Sequence, residues 1–344
     1  MVFIMTRIYK IALCLVLVVT ACTNKFELYS YDGDTTIVYA VLDANADTNY
    51  FKITKSFLGN ANELGQSYEA NNYKYDEIDV KFIGYFDNSD KIDTIQLDTV
   101  SKFIPYNENS HFYTGMRQVY YFTDRKIQLG KEYQLIVLRY SDGKISSAKI
   151  KMTNAVSFLK PYPNKKLSFR GRLDSIVWVV NDPATNNHTT AAYFDINGYF
   201  HYKELLPGTT DTVDQVITWN MYSGLPQNML SAYGYYLAYY TPKSLFDILG
   251  SNKYLQDNSP YGVQRWIGKF EYCISSIGNE LYNYYLINNS YSLIQDVPNY
   301  SNIENGIGLM SSRTANRSFH TIEQVTRKKI CNEFNYGFIY NPND

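Results

Sequence analysis

The side chains best suited to chemistry are few. The chain has 4 histidines, His111, His188, His201 and His320. None lies within four residues of another, so the paired-histidine helix spacing that holds zinc is absent. His201 stands in "FHYKE" beside Glu204, and a histidine near a carboxylate is the arrangement of a general base. A strand residue on a polar face is the plainer reading and carries more weight. There is no Gly-x-Ser-x-Gly elbow. A phosphate loop and a dinucleotide fingerprint are also missing, as is an alternating-aspartate calcium loop. The sequence therefore names no catalytic residue, no metal ligand and no cofactor. A triad assembled in space would leave no such trace.

Two of the 4 cysteines lie late in the chain, Cys273 and Cys331. In "KFEYCISSI" the alternation puts Phe270, Tyr272 and Ile274 on one face. Cys273 falls on the other, with Lys269, Glu271 and Ser275. A bridge from Cys273 to Cys331 would stabilise the fold by about 4 kcal/mol. Two separate thiols fit the sequence equally well.

The other two cysteines sit near the start. Arg7 and Lys10 precede the apolar run Ile11 to Val19. That run is too short to cross roughly 30 Å of hydrocarbon, but it fits the core of a secretory leader. Val19-Thr20-Ala21-Cys22 follows. An aliphatic residue, two small ones and a Cys resemble the lipobox of bacterial lipoproteins. In that family the Cys thiol carries a diacylglyceryl group and becomes the first residue of the mature chain. The resemblance implies a signal peptide over 1–21, acylation of Cys22 and anchoring by two or three acyl chains, which bind stably where one does not. Residues 22–35 read as a polar tether.

The elements behind these residues are mostly strands. Formal net charge is -1, and Lys and Arg are scattered. A basic footprint for nucleic acid is therefore missing. Tyr is frequent, at 35 residues, which suits half-buried pleated surfaces. "TTIVYAVLD", "YFKITKSFL", "EIDVKFIGYF", "IDTIQLDTV", "QVYYFT", "EYQLIVLRY" and "ISSAKIKM" read as short strands with turns between them. In "EYQLIVLRY" the inward set Tyr133, Leu135, Val137 is clean until Arg139. The expectation is an Ig-like antiparallel β-sandwich over 36–157.

"FLKPYPNKK", residues 158–166, breaks the pattern with two prolines. A β-rich domain with a few short helices is expected over 158–344. "TPKSLFDILG" carries Thr241 at a cap position, Pro242 in the first turn and Gly250 as a stop. "NELYNYYLINN" puts Leu281, Tyr284 and Tyr285 on one helical face, and "TIEQVTRKKI" turns Ile322 and Val325 inward. "SAYGYYLAYY" has aromatics at both parities. Burial on both sides is favoured over one buried and one exposed row. In "NIENGIG" the glycines two apart allow close approach to a neighbouring sheet or a ligand, the sheet being favoured.

"VYAVLDANADTNYFKITKSFLG", "EYQLIVLRYSDGKISS" and "YSNIENGIGLMSSR", together with the lipobox, resemble an uncharacterised family of Bacteroidota envelope lipoproteins. The resemblance implies a cell-envelope, outer-membrane location and an accessory role beside import systems. It implies no catalytic residues. The expected function is a lipid-anchored binding or assembly module for a glycan, a peptide or an outer-membrane transporter. The alternatives are an adhesin or structural spacer and, behind them, a hydrolase.

Overall fold

The computed structural model describes residues 34–56, 74–105, 116–181, 193–226, 234–257, 262–289 and 300–341. The first eight strands are β1 (Thr36–Leu42), β2 (Asn49–Lys55), β3 (Ile78–Tyr85), β4 (Ile92–Gln96), β5 (Asp98–Ile104), β6 (Met116–Thr123), β7 (Glu132–Arg139) and β8 (Ile145–Lys151). They sort into two sheets, β1-β2-β6-β5 and β4-β3-β7-β8, every pair antiparallel. Lettered A, B, C, C′, D, E, F, G in chain order, that is ABED facing C′CFG, an Ig-like sandwich. Val38, Phe51, Phe82, Leu135, Val137 and Ile150 are among the residues that fill it.

Several local details follow from residue chemistry. Asp87 and Asn88 take positive φ in the turn after β3, which Asp and Asn tolerate. "IDTIQLDTV", expected as one strand, is two. It breaks at buried Leu97, and its halves join opposite sheets as β4 and β5. Arg139 does point inward with its alternation partners. Its charge is met by Asp142 at 2.5 Å and its Nη1 donates to the Tyr75 hydroxyl at 3.3 Å.

The remaining elements are β9 (Ala155–Lys160), β10 (Asp174–Asn181), β11 (Tyr193–Leu205), β12 (Val213–Pro226), β13 (Tyr236–Tyr240), α1 (Ser244–Ser251), α2 (Lys253–Asp257), β14 (Gln264–Ile277), α3 (Asn279–Asn289), β15 (Gly306–Thr321) and α4 (Gln324–Glu333). Here β9-β10-β13 forms one sheet and β12-β11-β14-β15 the other. Lettered the same way, that is ABE facing C′CFG. The second half is therefore itself an Ig-like sandwich, with α1 and α2 inserted between E and F, α3 between F and G, and α4 after G. Its core joins Trp178, Phe200, Tyr236 and Phe270 from the sheets to Leu245, Leu249 and Ile330 from the helices.

The helices differ in detail from expectation. Gly250 lies inside α1 rather than ending it. On α3, Leu281 is buried but Tyr285 is exposed. On α4, Val325 is exposed and Thr326, Arg327 and Ile330 face inward, while Ile322 is buried ahead of the helix. A ten-residue helix offers only one narrow buried stripe, and the stripe here passes through Arg327. Its guanidinium is satisfied by the carbonyls of Ile322, Ile267 and Gly268.

One strand spans both sandwiches. The first part of β15, Gly306–Ser312, runs parallel to β1. The rest, Arg313–Thr321, runs antiparallel to β14. The two four-stranded sheets thereby merge into one of eight strands. Just before β15, Glu304 exchanges both backbone hydrogen bonds with Ser147 of β8. Segment 303–312 thus lies along the A and G edges of the first sandwich, with Ile303 and Met310 in its core. A single cut at residue 158 would strip that segment away. The strand-free link is Met152–Asn154, all three buried. Ser312 Oγ and Thr314 Oγ1 hold it there through Thr153.

Candidate functional site

Cys22, His111 and His188 lie outside the described residues. Cys273 and Cys331 are both free thiols, so the candidate bridge is not made. The reason is the pleat. Tyr272 and Ile274 face the second core, which Cys331 of α4 also packs against. Cys273 points through the opposite face of the same sheet. Burial pushes both thiols up, which keeps them protonated and weakly nucleophilic.

That opposite face carries a polar cluster. His201 on β11 meets Glu271 on β14, with Nε2 2.8 Å from Oε2. The other carboxylate oxygen accepts from Arg317 of β15. Glu271 is buried, while Arg317 is exposed and His201 half-buried. Arg317 also lies over the Tyr199 ring, 5.6 Å from its centroid. A buried carboxylate thus holds two outward groups in fixed positions. Glu204, the sequence neighbour of His201, goes elsewhere. It is buried against Arg265, with Oε2 2.6 Å from Nε.

His320 sits on the core side, fully buried. Its Nδ1 lies 3.1 Å from the Lys165 carbonyl and its Nε2 2.7 Å from Ser318 Oγ. The carbonyl only accepts, so Nδ1 carries the proton and Nε2 accepts from the serine. Ser318 pairs in register with Tyr272. Tyr272 shares a 2.7 Å hydrogen bond with Tyr240, and Tyr240 donates to Asp174 at 3.4 Å. This network ties the two sheets of the second sandwich together at depth. Among the described residues no group of His, Cys, Asp or Glu is arranged to hold a metal ion.

A third feature is apolar. The outer face of β15, β1 and β2 exposes Ile307 at 46%, Tyr39 at 45%, Val41 at 44% and Tyr50 at 37%. Tyr39 pairs across to Lys52, whose ammonium is pushed down by burial. Tyr50 packs edge-on to Tyr120 and pairs with Phe122. The Lys102 ammonium lies 3.4 Å over the Tyr50 ring. The signal for this face was in "TIVYAVL", which is apolar at both parities. By contrast, the aromatic segment Tyr236–Tyr240 has one buried row, Tyr236, Ala238 and Tyr240, and an exposed Tyr239. That corrects the expectation of burial on both sides. The three-stranded sheet packs on only one face there.

No helix among the described residues is long and apolar enough to cross a membrane. No family model matches the chain, and no curated protein matches it. Among solved structures it is similar to the chicken CNTN1 FN1-FN3 domains, at 10% identity, covering 84% of this chain and 67% of that one with a TM-score of 0.22. The Ig-like description rests on strand order alone.

Proposed function

We propose that this chain is a lipid-anchored cell-envelope protein, acylated at Cys22, that docks an envelope partner and serves an outer-membrane import system as an accessory module. The observation that carries the docking role is the face of Tyr39, Val41, Tyr50 and Ile307. Contiguous exposed apolar surface rimmed by polar residues marks interaction sites, and aromatic residues are enriched at interface cores. The face begins on β1, the first described strand. Its partner is a second envelope protein, and the transporter class fits the expected location.

The test is a pull-down from detergent-solubilised membranes with the full chain. A stoichiometric transporter partner is expected with the wild type and not with the combined Tyr39→Ser, Val41→Ser, Ile307→Ser variant. A wild type that captures no partner overturns docking. It would favour the spacer reading, which the shared strand β15 supports by making the sandwiches continuous. The anchor is tested separately. Cys22→Ser should release the protein from the membrane fraction, and retention there would remove the anchor.

A further inference from the structure

The outer face of β3, β7 and β8 holds a cleft of about 470 Å³, within the size range of small-ligand sites. It lies on the other sheet of the first sandwich from the docking face and owes nothing to that role. Its floor is apolar, made by Ile83 and Tyr85 with exposed Ile92 at the rim. Its far wall is cationic. Gln134 pairs in register with Lys149, and Glu132 with Lys151. Lys131 reaches in from the preceding turn, its ammonium 4.8 Å over the Tyr85 ring.

The charge balance is lopsided. Lys131, Lys149 and Lys151 face one carboxylate, Glu132, which lies 2.8 Å from the Lys149 ammonium. The hydrogen bond from Lys149 holds that carboxyl below its usual range. Three cations against one anion leave two positive charges in the cleft of a chain whose formal net charge is -1.

The floor is also rigid. Beneath it lies Tyr133, whose ring fills the space a Cβ on Gly84 would need. The Tyr133 hydroxyl donates to the Tyr85 carbonyl and accepts from the Gln128 N–H at 2.7 Å. A site on rigid strands loses little order on binding.

We propose that this cleft binds an acidic saccharide. Its ring lies on the floor at Ile83 beside Tyr85, its anionic group meets Lys131 and Lys151, the two ammoniums not paired with Glu132, and Gln134 meets a hydroxyl. Each part of the wall has a role in that assignment. The ammoniums supply point charges for the anion. The floor receives the apolar C–H face of a ring. Gln134 can both donate and accept, as a hydroxyl does. A bare anion would use the lysines and leave the floor idle.

The test titrates the full chain in detergent with three probes: trigalacturonate, neutral galactotriose and triglutamate. Trigalacturonate should bind at least tenfold more tightly than either control. Its affinity should fall at least threefold from about 50 to 300 mM salt as exposed charges are screened. Lys131→Gln with Lys151→Gln, which leaves the Lys149–Glu132 pair intact, should weaken it at least tenfold while the melting curve stays in place. Equal binding of galactotriose would show that the charges do not select the ligand. Triglutamate binding as tightly would show that the sugar ring does not. Either result overturns the proposal, as does full affinity in the folded double variant.

Discussion

Gly308 and Val38 are register partners across the parallel pair of β15 and β1, and a Cβ on Gly308 would lie 2.0 Å from the Val38 carbonyl oxygen. Gly308 also holds φ at +120°, a conformation other residues rarely take. The shared strand therefore needs glycine here. Gly308→Ala must pull β15 off β1 or strain the backbone, at a cost of about 3 kcal/mol or more. A thermal melt should drop by roughly 4–5 °C or more. An unchanged melt would mean that the parallel pairing contributes little.

This joint shows where sequence reading stops. The alternation of Tyr133, Leu135 and Val137, and of Ser146, Ala148 and Ile150, was legible because each strand buries one face. Alternation names faces, not partners. Nothing in "NGIGLMSSR" says that Gly306 pairs with Thr36, far away in the chain. The second Ig-like sandwich was hidden for related reasons. Helices interrupt its strand succession, and β14 is buried on both faces from Phe270 onward, so its polar side did not read as interior. The partner of His201 was missed likewise, because Glu271 lies on the neighbouring strand and not in "FHYKE".

Tyr133 near the start of β7 makes a tyrosine corner of the kind Ig-like domains use. Burial pushes its phenol up to about 12. Tyr133→Phe keeps the ring against Gly84 but leaves the Gln128 N–H and the Tyr85 carbonyl without the hydroxyl. The expected loss is about 1–3 kcal/mol, read by denaturant unfolding. A loss much above that range would point to repacking of the ring as well.

Arg265 and Glu204 form an ion pair with both side chains almost fully buried. The Tyr254 hydroxyl donates to the second Glu204 oxygen at 2.6 Å, and Arg265 also reaches the Tyr336 carbonyl. Removing one partner strands the other charge in the core. Glu204→Ala alone and Arg265→Met alone should each cost about 3–5 kcal/mol. The double variant should cost clearly less than the sum. Simple additivity would show that the two groups are not coupled.

The two late thiols face opposite sides of one sheet, so oxidation should not join them. Alkylation in denaturant without reductant should modify both Cys273 and Cys331. In the native state Cys331, the less buried of the two, should react first. A peptide linking them after non-reducing digestion would refute the placement.

His320 supplies a pH test. Burial lowers its pKa from the usual 6.5, outweighing the opposing hydrogen bond to the Lys165 carbonyl. The groups acting on it are Ser318, the Lys165 carbonyl, the Tyr272 ring and the positive charge of Lys165, which also lowers its pKa, and none of them titrates near neutral pH. Between the lowered folded value and 6.5 the unfolded chain binds a proton that the native protein does not. Stability therefore rises with pH through that window. The contribution is complete above about 6.5 and is lost as pH falls toward the folded value. Denaturant midpoints taken from pH 7.5 down to 5 should fall more steeply in the wild type than in His320→Asn, which keeps a polar group but does not titrate. Parallel curves would show that the imidazole is protonated as easily in the native protein as in the unfolded one, and the buried Ser318–His320 pair would have to be open to solvent.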